Sequence, residues 1–182
     1  TLTDTAPSAG INPDFAKVFI DGVDITAGVT FTTTGGAAEP VVVTGVGAVA
    51  TPLGDGLHTL RITGIDNANN QVERSLQFTV DNGAPVITSE IPEEGRLIGG
   101  SALSNGRATI KGTVVDLDPN LNVTCSTGAG QGVVTLASSD YTCVVPVAEG
   151  LNTVVVTASD STGHMSSLSR PLTLDQTAPV IS

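Results

Sequence analysis

The chain has 182 residues and a formal net charge of −11, with only seven Lys and Arg against eighteen Asp and Glu, 21 Gly, ten Pro and no Trp. So few cations argue against nucleic acid, whose phosphates are held by clustered Lys and Arg, and against an anionic membrane surface. No apolar run approaches the roughly 18 residues of a membrane helix, no stretch carries helical apolar spacing, and Val-, Thr- and Ile-rich segments punctuated by Gly and Pro predict an all-β chain without membrane insertion by this segment.

Near the N-terminus, "DTAP" at residues 4 to 7 reads as a linker, like "DNGAP" at 81 to 85 and "DQTAP" at 175 to 179. Three such copies predict a segment cut from a longer tandem array, with targeting signals outside it. "FAKVFIDGVDIT" follows, with Asp21-Gly22 as a two-residue turn between strands, and then the uncharged "VVVTGVGAVA" at 41 to 50. Residues 54 to 88 align with residues 148 to 182 without a gap at an offset of 94, and twelve of the 35 positions are identical. A repeat of this period makes two domains, which we place at 1–84 and 85–182.

The repeat fixes strand register. Leu60, Ile62 and Gly64 align with Val154, Val156 and Ala158, so these positions face the core; Leu76, Phe78 and Val80 align with Arg170, Leu172 and Leu174. Between the strands, "DNANN" at 66 to 70 and "DSTGH" at 160 to 164 are hairpin turns. The second domain adds "ATIKGTVVDLD", "NVTCST", "GVVTLA" and "YTCVVPVA", with Ile110 and Val114 inward and Lys111 outward. About seven strands per domain, with a turn every 8 to 12 residues, predict two tandem immunoglobulin-like β-sandwich domains.

The stretch "EGLNTVVVTASDSTGHMSSLSRPLTLDQTAPVI" resembles the last two strands and linker of bacterial immunoglobulin-like repeats. "ATIKGTVVDLDPNLNVTC" resembles the strand, Asp-rich turn and strand that open such modules. The likeness covers most of residues 85 to 182 and the second half of the first domain, whereas residues 8 to 53 are only loosely similar. It implies an extracellular or cell-surface setting. The expected function is a structural spacer or interaction segment of a bacterial surface protein, adhesin stalk or filament, whose partners are neighbouring repeat modules, a second copy or another surface protein. The alternative is an accessory binding module of a secreted enzyme.

Cys125 and Cys143 are the only cysteines, each on the inward face of a predicted strand. They are expected to form a disulfide, closing a loop worth about 3 kcal/mol. Asp116, Asp118, Asn120 and Asn122 cluster in "DLDPNLN", with Asp81 in the linker upstream. Oxygen ligands at alternate positions suit Ca²⁺ and resemble the Asp-rich linkers of cadherin-like arrays, though the paired Glu motifs of cadherins are missing; ordinary turn chemistry is the competing reading. No other cofactor is expected. His58 aligns with Asn152 and His164 with Asn70, so each His stands where the other copy has a turn-type polar residue. No Gly-x-Ser-x-Gly elbow appears, and the expectation is that the segment is not an enzyme. "VVVTGVGAVA" and "GVVTLA" are either buried inner strands or open edges to which another chain's strand adds.

Overall fold

The computed structural model describes residues 1–4, 10–36, 39–90, 92, 93 and 95–181. The chain divides into two compact units, Thr1–Asp81 and Asn82–Ser182. Both are β-sandwiches, and no helix among the described residues is long and apolar enough to cross a membrane.

The first unit comprises β1 (Leu2–Asp4), β2 (Ile11–Ile20), β3 (Val23–Asp24), β4 (Val29–Gly36), β5 (Glu39–Gly47), β6 (Gly56–Asp66) and β7 (Gln71–Val80). One sheet runs β1-β5-β4 and the other β3-β2-β6-β7. Asp21 and Gly22 have φ of 50° and 82°, the left-handed pair that a two-residue turn between right-twisted strands demands, and Ile20 pairs with Val23 across it. Leu2, Ala16 and Val43 form a small buried core, with Ile11, Phe31 and Ile62 packed against it.

Two expectations change here. Leu76 is 62% exposed, because β7 is an edge of the four-stranded sheet, with β6 as its one ladder partner among the described residues. Asp4 does not open a linker. It ends β1, which pairs antiparallel with β5 through Leu2 and Val43, and its carboxylate accepts a bond from the Gly10 N–H at 3.1 Å. The rest of "DTAP", residues 5 to 7, lies outside the described residues.

The second unit comprises β8 (Val86–Ile87), β9 (Leu97–Gly99), β10 (Arg107–Val115), β11 (Asn122–Thr127), β12 (Gly130–Gln131), β13 (Val133–Ala137), β14 (Asp140–Pro146), β15 (Gly150–Ser159) and β16 (Met165–Asp175). Its sheets run β13-β14-β10-β8 and β12-β11-β15-β16-β9. The period-2 pattern holds throughout: Val154, Val156 and Ala158 are completely buried, as are Ile110 and Leu172, while Lys111 points to solvent. Cys125 and Cys143 are bonded across the interior, 18 residues apart in sequence with Cα atoms 6.3 Å apart. Tyr141, 1% exposed, donates its hydroxyl to the Thr88 carbonyl at 2.8 Å, which gives its buried oxygen a partner. Of the two uncharged stretches, β5 is an inner strand and β13 a sheet edge.

Candidate functional site

The residues with chemistry to offer gather at turns. After β10 the chain reverses through Asp116 to Leu121. Asp116 Oδ1 accepts the Asp118 N–H at 3.2 Å, and Asp118 Oδ1 accepts the N–H of Asn120 at 2.8 Å and its side-chain amide at 3.1 Å. These are local Asx bonds of the kind Asp makes wherever a strand must end. Asp118 Oδ2 reaches further, accepting both the N–H of Ser161, at 2.8 Å, and its hydroxyl. Hydrogen bonds from Ser161, then Asn120, hold the Asp118 carboxyl down to about 2. Asp118 thus clamps the turn after β10 to the turn between β15 and β16.

That second turn is organised by Asp160, whose side chain is wholly enclosed. Its Oδ1 accepts the N–H groups of Gly163 at 2.6 Å and His164 at 2.8 Å, and its Oδ2 meets His164 Nδ1 at 3.0 Å. Burial opposes the charged form of Asp160, but hydrogen bonds from Thr162, His164 and Gly163 outweigh it and keep the carboxyl below the ordinary carboxylate value.

Asp116 and Asp160 bring carboxylate oxygens within 4.8 Å of each other. Asp116 Oδ2 is shielded from solvent and has no hydrogen-bond partner. A buried carboxylate oxygen left so, beside a second carboxylate, is costly unless a cation meets it. Ca²⁺ binds oxygens at roughly 2.3–2.6 Å, so one ion can bridge two oxygens at this separation. Of the ligands expected from sequence, Asp116 is brought to a second carboxylate, while Asp118 and Asn120 are consumed by the turn and the Ser161 clamp. Asn122 begins β11, and Asp81 is the last residue of the first unit. Asp160 and Ser161 were not anticipated as parts of this site, since their approach to the Asp116 turn depends on how distant strands pair.

The two units solve the same local problems with different side chains. In the first, Asp66 Oδ1 accepts the Ala68 and Asn70 N–H groups at 2.8 and 2.7 Å, and its Oδ2 accepts the Asn70 amide at 2.7 Å. Asn70 does there what His164 does beside Asp160. The exchange is reversed at the other end of the strand: Asn152 donates to the Ala148 carbonyl at 2.7 Å, and His58, its counterpart, places Nε2 2.8 Å from the Gly54 carbonyl. His58 also sets Nδ1 2.6 Å from Asp21 Oδ2. Both ring nitrogens therefore face acceptors, which an imidazolium satisfies and a neutral ring cannot.

No protein-family model matches the sequence, and no curated protein matches it either. Among solved structures the chain is similar to the fibronectin(III)-like modules of Clostridium thermocellum CbhA, with 15% identity, covering 97% of this chain and 83% of that one, at a TM-score of 0.41. It is similar to a crystal structure of titin domains, with 15% identity, 88% and 56% coverage and a TM-score of 0.42, so it spans just over half of that structure. The N-terminal Ig1-2 module of the Drosophila receptor protein tyrosine phosphatase DLAR shares 12% identity, with 88% and 83% coverage and a TM-score of 0.34.

Proposed function

We propose that these two tandem sandwiches are a structural spacer or interaction segment of an extracellular bacterial surface protein, of the adhesin-stalk or filament kind, with neighbouring repeat modules as partners. The observation that carries this reading is how the polar side chains are used. Asp66 with Asn70 and Asp160 with His164 each close a turn on itself, and Asp21 with His58 and Asp118 with Ser161 each tie a turn to a segment distant in sequence. Side chains committed in this way stiffen a scaffold. The disulfide inside the second unit suits an oxidising compartment, and the net charge of −11 suits a chain that stays soluble when crowded.

Ca²⁺ belongs to the same proposal. Asp116 and Asp160 are the two carboxylates we assign to it, on the strength of the partnerless Asp116 oxygen. Asp81, one residue before the second unit begins, is assigned as a further ligand on sequence grounds. Bound there, the ion neutralises the paired charges and braces the turn.

Single-molecule stretching tests the spacer reading. Two discrete unfolding events are expected. The event of the second unit should lengthen by about 60 Å when reductant opens the 18-residue loop. A chain that extends smoothly, without discrete events, is no load-bearing spacer.

A further inference from the structure

In the first unit β2 runs beside β6 residue for residue except at one place. Asn12 lies opposite Ile65 and Lys17 opposite Thr63, so the four residues 13 to 16 stand against Gly64 alone. An ordinary bulge adds one residue to a strand, and here three are added. The surplus lets this stretch serve both faces of the sheet. Ala16 and Val18 are 2% and 8% exposed and fill the interior, whereas Phe15 is 54% exposed and stands over the outer face. There Thr63 pairs with Glu73 and Ile65 with Gln71. Together with Phe15 and Lys17 these four residues line an open groove of about 390 Å³.

The matching strands of the second unit are built without it. β11 pairs with β15 from Asn122 to Ser126 with no shift of register. At the 94-residue offset Thr63, Ile65, Gln71 and Glu73 become Thr157, Ser159, Met165 and Ser167, and the hydroxyls of Thr157 and Ser167 bond each other at 3.0 Å. The sandwich therefore does not require the bulge or the exposed ring, since its second copy forms without them. Bulges gather where a side chain has to be re-aimed beside a binding or active site.

The charges in the groove cancel. Lys17 Nζ lies 3.4 Å from Asp24 and Glu73 lies 3.0 Å from Arg61 Nη1, so each ion in the wall already has an opposite partner and the groove does not select for a charged ligand. An extended peptide would need an open strand edge to pair with, but β6, the floor of the groove, is paired on both sides by β2 and β7. What the groove offers is an apolar plate, the Phe15 ring, beside a hydroxyl, an amide, a carboxylate and an ammonium that donate and accept hydrogen bonds. Its complement is a neutral molecule with one apolar face and a rim of hydroxyls.

We propose that this groove is a saccharide-binding site. Its ligand is a short stretch of a neutral oligosaccharide, with the C–H face of a pyranose ring on Phe15 and its hydroxyls bonded by Thr63, Gln71, Glu73 and Lys17. The volume falls within the roughly 300–1,000 Å³ of small-molecule sites. The site lies wholly in the first unit, so it stands or falls separately from the spacer role and from Ca²⁺.

The probes are cellohexaose, maltohexaose, mannohexaose and xylohexaose, each titrated into the full chain while amide shifts are followed by NMR. An oligogalacturonate and a short Pro-rich peptide are the anionic and peptide counterparts. At least one neutral hexasaccharide should shift the amides of Lys17, Thr63, Gln71 and Glu73 saturably and leave Thr157 and Ser167 unmoved. Phe15→Ala should weaken that binding by about 10-fold or more without lowering the melting temperature, Phe15→Tyr should retain it, and Gln71→Ala should weaken it as well. No saturable shift with any of the four sugars, binding that survives Phe15→Ala, or saturation by the oligogalacturonate or the peptide alone overturns the proposal.

Discussion

Cys125 of β11 and Cys143 of β14 belong to different sheets of the second unit and are joined through its core. Both are nearly fully buried, at 2% and 0% exposure, so the bond ties the sandwich from inside. Closing a loop of this length stabilises by about 3 kcal/mol in the chain-entropy account. Replacing both cysteines with Ala should lower the second unit's unfolding free energy by about that amount, plus about 1–2 kcal/mol for lost packing. Denaturant titration with and without reductant checks it, and an unchanged midpoint in the double variant would refute it.

A pH dependence is expected in the first unit. The His58 pKa is raised from 6.5, first by Asp21 and then by the Gly54 carbonyl; that of Asp21 is lowered from 3.8, first by the Thr59 N–H and then by His58. The His58 contribution is therefore fully present below 6.5 and lost as pH rises through its folded value. The Asp21 contribution is present above 3.8 and lost as pH falls through its folded value. The contact is strongest between those limits. Proton NMR should place the His58 midpoint above 6.5, and Asp21→Asn should move it back down. A wild-type midpoint at or below 6.5 is incompatible with the geometry.

Millimolar Ca²⁺ should raise the melting temperature of the second unit relative to excess chelator, since an ion bound only by the folded state stabilises it by mass action. Asp116→Asn should abolish that shift. In chelator the same substitution should raise the melting temperature, because it removes a carboxylate with an oxygen within 4.8 Å of one on Asp160. Identical melting of the wild type in Ca²⁺ and in chelator returns Asp116 and Asp160 to turn chemistry alone.

Gly112 of β10 lies so close to the strand beside it that a Cβ there would sit 2.0 Å from the Thr88 carbonyl oxygen. The Thr88 N–H bonds the Thr113 carbonyl at 2.8 Å, so backbone would have to separate. Gly112→Ala should cost about 1–3 kcal/mol by overpacking and should release the amide of Thr88 to hydrogen exchange. Wild-type stability in this variant would show that β8 and its flank yield freely.

What could be read from sequence was whatever rests on neighbours along the chain. The alternation of Val154, Val156 and Ala158, the Asp21-Gly22 turn and the inward direction of both cysteines follow from the two-residue period and from turn chemistry. Placement against distant strands could not be read in this way. "DTAP" shares Asp, Thr, Ala and Pro with "DQTAP", but Leu2 is drawn onto Val43 and Asp4 ends a strand. Leu76 has the apolar character of a core position but stands exposed on an edge strand. Asp160 was legible as a turn residue, but its approach to Asp116 is set by the pairing of β11 with β15, which no local pattern encodes.

The parallel pairing of β9 with β16, Leu97 opposite Thr173 through Gly99 opposite Asp175, decides how the second unit meets tension. Once β8 has parted from β10, a pull toward the N-terminus acts on β9 and a pull toward the C-terminus acts on β16. Because the two strands run the same way, those forces slide them past each other lengthwise. The ladder bonds between them are then loaded together in shear, and none can open until all are strained. An antiparallel pair pulled from adjacent ends would unzip one bond at a time. A short patch of three residue pairs can therefore act as a mechanical fuse, resisting far more than its length suggests and then failing at once.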